Sequence, residues 1–578
     1  MNKGGRPRDP IWEHLAELDT CGKLQAMCKT CGHKQSVKVN RMKEHLKVCS
    51  KESVDNEPNP TPSSSQNLQQ NTTIQHSESV QSEPGEESKV DSSKKRRMQL
   101  GMEDFVFKTN NEVKNQLDVA ISRFFYGCNI PFAVADHELF HKMISTLRPG
   151  YQAPSRKTLA DKLLDNVSTE LQTTMQKELQ HKDVTLIEDG WSNVHNDPVT
   201  ASCVHVNGKS FFVKATDNGS AKKTAQYCKD QCEATIQEVE EKYGCRVRSI
   251  VTDNEKKMEK MKRMLQEDDD QLIVYGCSSH WLNLLGQELT PSLIMKHVVE
   301  VTKYFRNHHQ PAAWLKELSE TVKPQLPGDT RWNSQLTCIE TFIRNHAGYT
   351  HIANMHEHEI DKNIMKLIRD YNLLKQVKDL SKQLKPVAIA LDRLQGDKVS
   401  IADACDTWLD LLSDNNLQPH RKAVEARFKL AIQPVHYFAY MLHPKYKGTK
   451  LNEQQQEEAR VWITGRNPEL LPFVLSFGED DSDQYPGSFC QPDVVAKLDP
   501  VSWWKSMKRA TKRPEIEALA DVMIYLLSSP ASSASVERVF SRFGLVHTKL
   551  RNRLGVEHAA KLVFCYRMLR GNMNVDEY

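Results

Sequence analysis

The stretch that decides the fold is residues 184–192, VTLIEDGWS, in which a run of β-branched and aliphatic residues leads into an acidic pair. A short apolar run of this kind predicts a buried β-strand, with Glu188 and Asp189 at its end. Similar runs follow it, and the turn-forming groups Asn196-Asp197-Pro198 and Asn207-Gly208 separate the first of them. The sequence therefore predicts four further strands, at residues 199–204, 211–213, 247–251 and 272–275.

Helical patterns connect and surround these strands. One helix is predicted over about residues 223–242, between the third and fourth strands, and another over about residues 257–265, between the fourth and fifth. Three strands, helix, strand, helix, strand is the chain order of an RNase H-like core. Before and after this core, apolar residues recur at spacings of three and four, as they do in amphipathic helices. The predicted fold is therefore an α/β core with long helical regions on both sides.

Two acidic residues end predicted strands, and a third lies in a later helical stretch. Asp189 ends the first strand, Asp253 ends the fourth, and Glu537 lies in residues 532–541, SSASVERVFS. In an RNase H-like sheet the first and fourth strands are adjacent and parallel, so both aspartates would reach one edge, where a helix adds the glutamate. Such oxygen ligands suit Mg²⁺, and two ions about 4 Å apart stabilise the attacking and leaving oxygens of phosphoryl transfer. Carboxylates at strand ends are common in α/β proteins, so periodicity alone leaves an ordinary structural role open.

The first fifty residues carry a zinc-ligand pattern, in which C-x2-C is followed, after thirteen intervening residues, by H-x3-C. The first pair suits a zinc knuckle, and the second places two ligands one helical turn apart. A segment this short needs such a crosslink in order to fold. Cys21 and His33 are spare candidates, and solvent-exposed thiols in a basic tail are the alternative interpretation. The predicted ligands of a structural Zn²⁺ are Cys28, Cys31, His45 and Cys49.

Charge is distributed unevenly along the chain. The 578 residues have a net charge of only +3, which by itself argues weakly against a nucleic-acid partner. Residues 1–50 are basic, however, and residues 51–93 are acidic and contain no aromatic residue. Residues 51–97 are therefore predicted to be a disordered linker that ends in Lys94-Lys95-Arg96-Arg97. This basic tetrad is either a nuclear import signal or a solvated charge run.

The composition also limits where the protein works. The sequence has no apolar run of about 18 residues, so no membrane span is predicted. The first residues lack the apolar core of a signal peptide. The 14 cysteines are therefore expected to be reduced thiols in the cytosol or nucleus, which excludes a secreted disulfide-bonded protein.

Several motifs carry a resemblance that covers nearly the whole chain from about residue 100. On these motifs the chain resembles the hAT superfamily of cut-and-paste DNA transposases, and the C-terminal block resembles the dimerisation motif of that family. The N-terminal metal pattern, with Trp12 upstream, resembles a BED-type zinc finger, a DNA-binding fold of chromatin and transposase proteins. The hAT motifs are Glu188-Asp189-Gly-Trp-Ser, Thr252-Asp253-Asn, Cys277-Ser-Ser-His280-x-Leu-Asn-Leu, Asp329-Thr-Arg331-Trp332-Asn-Ser, and residues 529–541, SPASSASVERVFS, continuing to Leu550-Arg-Asn-Arg-Leu554.

The resemblance implies roles for individual residues. The catalytic acids of the family match Asp189, Asp253 and Glu537, which would bind Mg²⁺ or Mn²⁺. For the two tryptophans of the motifs, the alternative is that they are core anchors. The C-x2-H pair has the spacing of half a zinc site, but no second pair at matching spacing follows it. Roles in handling DNA are implied for Trp191, Cys277, His280, Arg331 and Trp332, and, in the finger, for Lys38, Arg41, Lys43 and Lys47.

The resemblance also implies a domain organisation. The long helical stretch between the second and third acids matches the α-helical insertion domain of the family, which interrupts the RNase H-like core. The expected domains are a BED-type zinc finger (1–50), the linker (51–97), an α-helical DNA-binding or dimerisation region (98–182), the first part of the core (183–293), the insertion domain (294–500), and the last part of the core with the dimerisation region (501–578).

Two functions of different classes remain open. The first is a nuclear transposase of the DDE type, a homodimer or higher homo-oligomer that acts on double-stranded DNA of transposon ends and target. It would excise a transposon with Mg²⁺, leaving a hairpin on the flanking DNA, and integrate it elsewhere. The alternative is a domesticated transposase that regulates chromatin or transcription by binding DNA without catalysis. Since domestication often removes an acid and this chain keeps all three, the sequence favours the enzyme; the C-terminal block disfavours a generic nuclease.

Overall fold

The computed structural model describes residues 15–20, 23–31, 34–36, 109–192, 197–328, 332–478, 484–546 and 554–571. The chain divides into two compact units, residues 1–98 and residues 99–578. Within the described ranges, no helix is both long enough and apolar enough to cross a lipid bilayer.

The first unit contains a three-stranded antiparallel sheet. Its strands are β1, Leu15–Thr20, β2, Lys23–Cys28, and β3, Lys34–Ser36, in the order β1-β2-β3. Cys28 ends β2 and is 1% exposed, and Cys31 lies exposed in the turn that follows. The other residues predicted for the finger lie outside the described part of the chain, namely Lys38, Arg41, Lys43, His45, Lys47 and Cys49.

The second unit is mostly helical and is built around a mixed five-stranded sheet. The order of strands across this sheet is β6-β5-β4-β7-β8. Strands β4, β5 and β6 pair antiparallel, whereas β7 runs parallel to β4, and β8 runs parallel to β7. All five strands predicted from the sequence are confirmed, although their bounds differ. The strands are β4, Asp183–Ser192, β5, Pro198–Val206, β6, Lys209–Asp217, β7, Arg246–Thr252, and β8, Ile273–Gly276.

Helices precede the sheet and connect its parallel strands. The helix expected from the apolar spacing after about residue 105 is present, and a 3₁₀ helix, Phe132–Asp136, follows it. The helices that precede the sheet are α1, Asn111–Gly127, α2, Glu138–Leu147, α3, Arg156–Ala160, and α4, Lys162–Leu179. The crossovers from β6 to β7 and from β7 to β8 are α5, Ala225–Tyr243, and α6, Lys256–Asp268.

The backbone at the β5–β6 turn explains why these two strands form a hairpin. Asn207 has a φ of 50° and Gly208 a φ of 74°, both in the left-handed region. A two-residue hairpin needs this conformation, which asparagine and glycine adopt most readily. Parallel strands need a long crossover instead, which is why helices stand between β6, β7 and β8.

The region after β8 is helical, as the sequence predicts. Two 3₁₀ helices, Asn415–His420 and Pro468–Leu470, lie among its α-helices. The α-helices are α7, Ser278–Leu289, α8, Ser292–Asn307, α9, His309–Glu317, α10, Asn333–Met355, α11, Lys362–Ile368, α12, Tyr371–Leu394, α13, Ile401–Ser413, α14, Arg421–Ala431, α15, Pro434–Met441, α16, Glu453–Thr464, and α17, Leu471–Gly478.

The last helices return to the sheet. The hydroxyl of Tyr525 donates to Ser249 Oγ on β7 at 2.6 Å and approaches the main-chain carbonyl of Val184 on β4 at 3.3 Å. An ion pair of 3.0 Å between Lys561 and Asp165 joins the final helix to α4. The helices are α18, Pro492–Lys497, α19, Pro500–Ala510, α20, Pro514–Leu526, α21, Ala534–Val546, and α22, Val556–Gly571.

Replacing Tyr525 by phenylalanine tests how strongly α20 is fixed to the sheet. We expect Tyr525→Phe to lower the free energy of unfolding by about 1–3 kcal/mol, because buried Ser249 loses the hydroxyl that donates to it. The measurement is urea denaturation followed by circular dichroism. Tyr371→Phe is the matched control, since Tyr371 is 76% exposed. Equal unfolding midpoints for the two variants would show that this contact contributes little.

Candidate functional site

Asp189 lies near the end of β4, the central strand of the sheet. Residues 184–187 of this strand are buried, whereas Asp189 is half-buried, and its carboxylate accepts a 2.8 Å hydrogen bond from the Gly190 main-chain N–H. Because side chains alternate along a strand, Asp189 and Trp191 share one face of the sheet and Glu188 leaves on the other. The strand therefore presents an acid and an indole to the same side.

Asp253 follows directly on β7, the strand beside β4. The two strands run parallel with Ile187 opposite Val251, so their carboxyl ends meet at the same edge of the sheet. The main-chain N–H of Glu255 donates to the Asp253 carboxylate at 3.4 Å. The register therefore brings Asp253 beside Asp189, as the predicted strand order requires.

Glu537 lies in the first turn of α21, which packs against β4. The segment before this helix is hydrogen-bonded to the start of α7. There, the main-chain N–H of Ser278 donates to the Ala531 carbonyl at 3.1 Å, and the N–H of Ser533 donates to Cys277 Sγ at 3.3 Å. These bonds hold the beginning of α21, and with it Glu537, near the ends of β7 and β8.

The three acids interact through their charges. Burial, together with the negative charges of Asp253 and Glu537, raises the pKa of Asp189 to about 7, although hydrogen bonds from Gly190 and Ser533 oppose this change. A bound cation would relieve the repulsion, and carboxylate oxygens suit hard ions such as Mg²⁺. Within the described residues, no group of three His, Cys, Asp or Glu side chains is arranged to hold a metal ion. The donor chemistry therefore fits a divalent cation, while the described arrangement is not that of a closed metal site.

A cleft of about 240 Å³ opens beside the two aspartates. Its lining includes Asp189, Asp253, Trp191 and two lysines, Lys223 and Lys257. Burial, and then the neighbouring charge of Lys257, lower the pKa of Lys223. The cleft therefore combines carboxylates, which attract cations, with amines, which attract anions.

Trp191 connects β4 with α21. Its ring stacks on that of Phe540 with a centroid distance of 4.3 Å and an interplanar angle of 29°, and it lies 5.0 Å from the ring of Phe543. The indole is half-buried and lines the cleft. It therefore packs partly in the core and partly against the space beside the aspartates.

The surroundings of Cys277 do not fit the DNA-handling role that was expected from the sequence. It is 0% exposed, and its Sγ accepts hydrogen bonds from the main-chain N–H groups of His280 at 3.4 Å and Ser533 at 3.3 Å. Burial raises the pKa of its thiol to about 11, so the group stays protonated and neutral. A side chain enclosed in this way does not contact DNA. Cys277 instead caps α7 and fixes the start of α21.

His280 lies within reach of the charges of the acidic group. The side chain is half-buried, and burial lowers its pKa although the charges of Asp253 and Glu537 raise it. A largely neutral imidazole beside the acids offers both a hydrogen-bond donor and an acceptor.

Trp332 corrects a second expectation. It is 2% exposed, its Nε1–H donates to Thr290 Oγ1 at 3.0 Å, and its main-chain N–H donates to Asn283 Oδ1 at 3.1 Å. A Cβ added at Gly286 of α7 would lie 2.3 Å from the indole. The ring is therefore packed against α7 as a core anchor, which is the alternative interpretation of this residue. Arg331 lies outside the described residues.

Sequence reasoning assigned no role of their own to three residues of the cleft. Glu188 is 5% exposed, Ser202 Oγ donates to its carboxylate at 2.8 Å, and burial raises its pKa. Its place next to Asp189 was visible in the sequence, but its burial depends on β5 and α5. Lys223 and Lys257 were not predicted as cleft residues, because lysines on or beside amphipathic helices are usually ordinary surface residues.

Two protein families match parts of the chain. The model of a domain of unknown function, DUF659, matches residues 154–305, which contain Asp189 and Asp253. The model of the hAT family C-terminal dimerisation region matches residues 481–569, which contain Glu537. No curated protein matches the chain.

The packing of Trp332 is tested by adding one methyl group beneath it. We expect Gly286→Ala to lower the free energy of unfolding by about 1–3 kcal/mol, because the new Cβ overlaps a buried indole. Gly544→Ala is the matched control in another helix, where no atom lies within 4 Å of the added Cβ. Alanine favours a helix over glycine, so this control should be neutral or slightly stabilising. A fully stable Gly286→Ala protein would argue against the core-anchor role.

Proposed function

The chain is an hAT-family transposase or a protein derived from one, and from this premise we propose that it is an active transposase of the DDE type. It would excise a DNA transposon, form a hairpin on the flanking DNA, and integrate the transposon by metal-dependent phosphoryl transfer. The observation that carries this proposal is geometric: Asp189 and Asp253 lie at the same edge of the sheet, because β4 and β7 run parallel, and α21, which bears Glu537, packs against β4. The charges of Asp253 and Glu537 contribute to the raised pKa of Asp189. Carboxylates brought together in this way are typical of sites that bind divalent cations for phosphoryl transfer.

The sheet supports an RNase H-like core for this enzyme. Its order β6-β5-β4-β7-β8 combines an antiparallel meander with two parallel strands, and the aspartates follow from adjacent parallel strands. The helices from α8 to α17 stand between Asp253 and Glu537 in the chain, where an insertion domain would interrupt that core.

Asp189, Asp253 and Glu537 would hold Mg²⁺ or Mn²⁺. Such ions neutralise charge on the phosphate and lower the pKa of the attacking water or 3′-hydroxyl. The contribution of the chain would be to bring the ligands close together before the ions bind: two follow paired strands, and the third lies in the first turn of a helix packed on β4. Rigid ligands avoid the cost of ordering them during the reaction.

The other groups of the cleft suit a nucleic-acid substrate. Lys223 and Lys257 would approach phosphates next to the cleaved bond, where ammonium groups offset negative charge. Trp191 would stack on a base freed from pairing during hairpin formation, since an indole face accepts any base. His280 would accept or donate a hydrogen bond beside the acids.

The N-terminal unit would be a BED-type zinc finger that binds DNA. Cys28 at the end of β2 and Cys31 in the next turn have the placement expected of a zinc knuckle, with His45 and Cys49 as the remaining ligands. Its basic residues Lys38, Arg41, Lys43 and Lys47 would contact phosphates or a groove. Action on chromosomal DNA implies a nuclear protein, for which residues 94–97 would be the import signal.

The match with a dimerisation region supports a homodimer or a larger homo-oligomer. Two copies would allow the two ends of a transposon to be held and cut together. The matched region includes α20, α21 and the larger part of α22.

Excision from a plasmid tests the proposal. The substrate carries a marker between the repeats that flank the coding sequence in its genome. We expect wild-type protein with Mg²⁺ to excise the marker and leave hairpins on the flanks. Asp189→Asn, Asp253→Asn and Glu537→Gln should each reduce excision by about a thousandfold or more, because each removes a ligand that stabilises the transition state.

The matched control is Glu267→Gln, which removes an exposed acid on α6 and should excise normally. All four variants should bind the same DNA ends as the wild type. If wild-type protein binds the ends specifically but does not cut them with Mg²⁺ or Mn²⁺, the enzyme proposal fails and the DNA-binding regulator remains.

A further inference from the structure

A second, larger cavity lies apart from the cleft that holds the aspartates. It has a volume of about 680 Å³ and is formed by the start of β6, one side of α21, and the end of α22. Its lining shares no residue with the aspartate cleft. It nevertheless begins one residue beyond Glu537, since Arg538 is part of its wall.

Positive charge dominates this cavity. Two carboxylates, Glu178 and Asp397, are outnumbered by five cationic side chains in the lining. Arg538 forms an ion pair with Asp397, so part of the charge is matched within the chain. The cationic residues are Lys209, Arg538, Arg542, Arg567 and Arg570.

Arg567 is held in the cavity wall by main-chain carbonyls. It donates to the main-chain carbonyls of Ser535 and Ser210, both at 3.4 Å, and among the described residues it has no carboxylate within ion-pair distance. Burial, and the charges of Arg538 and Arg542, lower its pKa. Keeping a guanidinium in such a place costs free energy unless an anion joins it.

Tyr566 holds two more arginines in position. The guanidinium of Arg542 lies 5.6 Å from the centre of its ring and that of Arg570 lies 5.3 Å from it. Arg570 also donates from Nη1 to the Tyr566 hydroxyl at 2.9 Å. Arginines ordered by an aromatic ring lose less entropy when they bind a ligand through their remaining N–H groups.

We propose that this cavity is a phosphate-binding site, separate from the catalytic cleft. A planar guanidinium group binds two phosphate oxygens at once, and several guanidinium groups around one cavity suit a ligand with more than one phosphate. The phosphates come either from the DNA backbone or from a free phosphorylated ligand, for which the volume is adequate. The DNA source rests on the proposed function, whereas the phosphate chemistry does not.

The test removes two cavity charges and measures two ligands with the full-length protein. The variant Arg542→Gln/Arg570→Gln is compared with Arg509→Gln/Lys512→Gln, which removes two exposed charges outside the cavity. Lys209→Gln is a second cavity variant at an exposed position, where folding is not at risk. Circular dichroism and unfolding midpoints verify that each variant is folded.

The first ligand is a 30-base-pair duplex of arbitrary sequence, measured by fluorescence anisotropy at several salt concentrations. If the source is DNA, the slope of log affinity against log salt concentration should become shallower by about one to two units in the double variant. Each lost phosphate contact reduces the magnitude of this slope by about 0.9. Affinity should fall about tenfold to a hundredfold, while the control pair changes neither quantity by as much.

The second ligand is sodium tripolyphosphate, measured by its effect on thermal unfolding. If the source is a free phosphorylated ligand, tripolyphosphate should raise the melting temperature of the wild type by about 2–4 °C and that of the double variant by less.

A change in either measurement that is confined to the cavity variants supports the site and identifies its source. If neither responds more than the control, the proposal is overturned, and excision by the wild type would leave the transposase proposal standing. If the wild type does not excise the marker but the cavity variants respond more than the control, the cavity site stands and the transposase proposal fails.

Discussion

Three carboxylates that repel one another stay together only if uncharged contacts hold the segments that carry them. Cys277 makes several of these contacts. Its main-chain N–H donates to the Thr252 carbonyl at 2.9 Å, its carbonyl accepts from the Asn254 side-chain amide at 2.8 Å, and its thiol accepts from the N–H of Ser533. One buried, neutral residue therefore joins the end of β7, which precedes Asp253, to the start of α21. A carboxylate in its place would add to the repulsion.

The helical region contributes to the same arrangement. The segment before α21 is held by the loop between α12 and α13: Ile401 N–H donates to the Ser529 carbonyl at 3.1 Å, and Ala531 N–H donates to the Val399 carbonyl at 3.0 Å. Ser532 Oγ donates to the Leu394 carbonyl at 2.8 Å. The position of Glu537 thus depends on helices that lie far from it in sequence. A change in the helical region would therefore alter the acidic group without touching any of its members.

The sheet and its acids were predictable because their signals are local. Strands β4, β5 and β7 are buried on both faces over much of their length and read as continuous apolar runs, and parallel neighbours place their last residues at one edge. Strand β6 was predicted only at residues 211–213 but spans Lys209–Asp217, because as an edge strand it is half-exposed and carries polar residues. Its pairing with β5, which is not visible locally, extends it.

The roles of the motif residues were less predictable, for a different physical reason. A motif indicates which residue type occupies a position. A tryptophan fits such a position equally well whether its indole packs in the core or contacts a ligand. Only the surroundings separate the two: Trp332 is enclosed over Gly286, whereas Trp191 lines the cleft. The lysines of the cleft were hidden for the converse reason, since nothing in their own segments distinguishes them from solvent-exposed lysines.

Helix α21 links the acidic group to the arginine-lined cavity. Glu537 faces the aspartates, Phe540 stacks on Trp191, and Arg538 and Arg542, one helical turn apart, enter the wall of the cavity. One helix therefore supplies residues both to the acidic group and to the wall of the arginine-lined cavity.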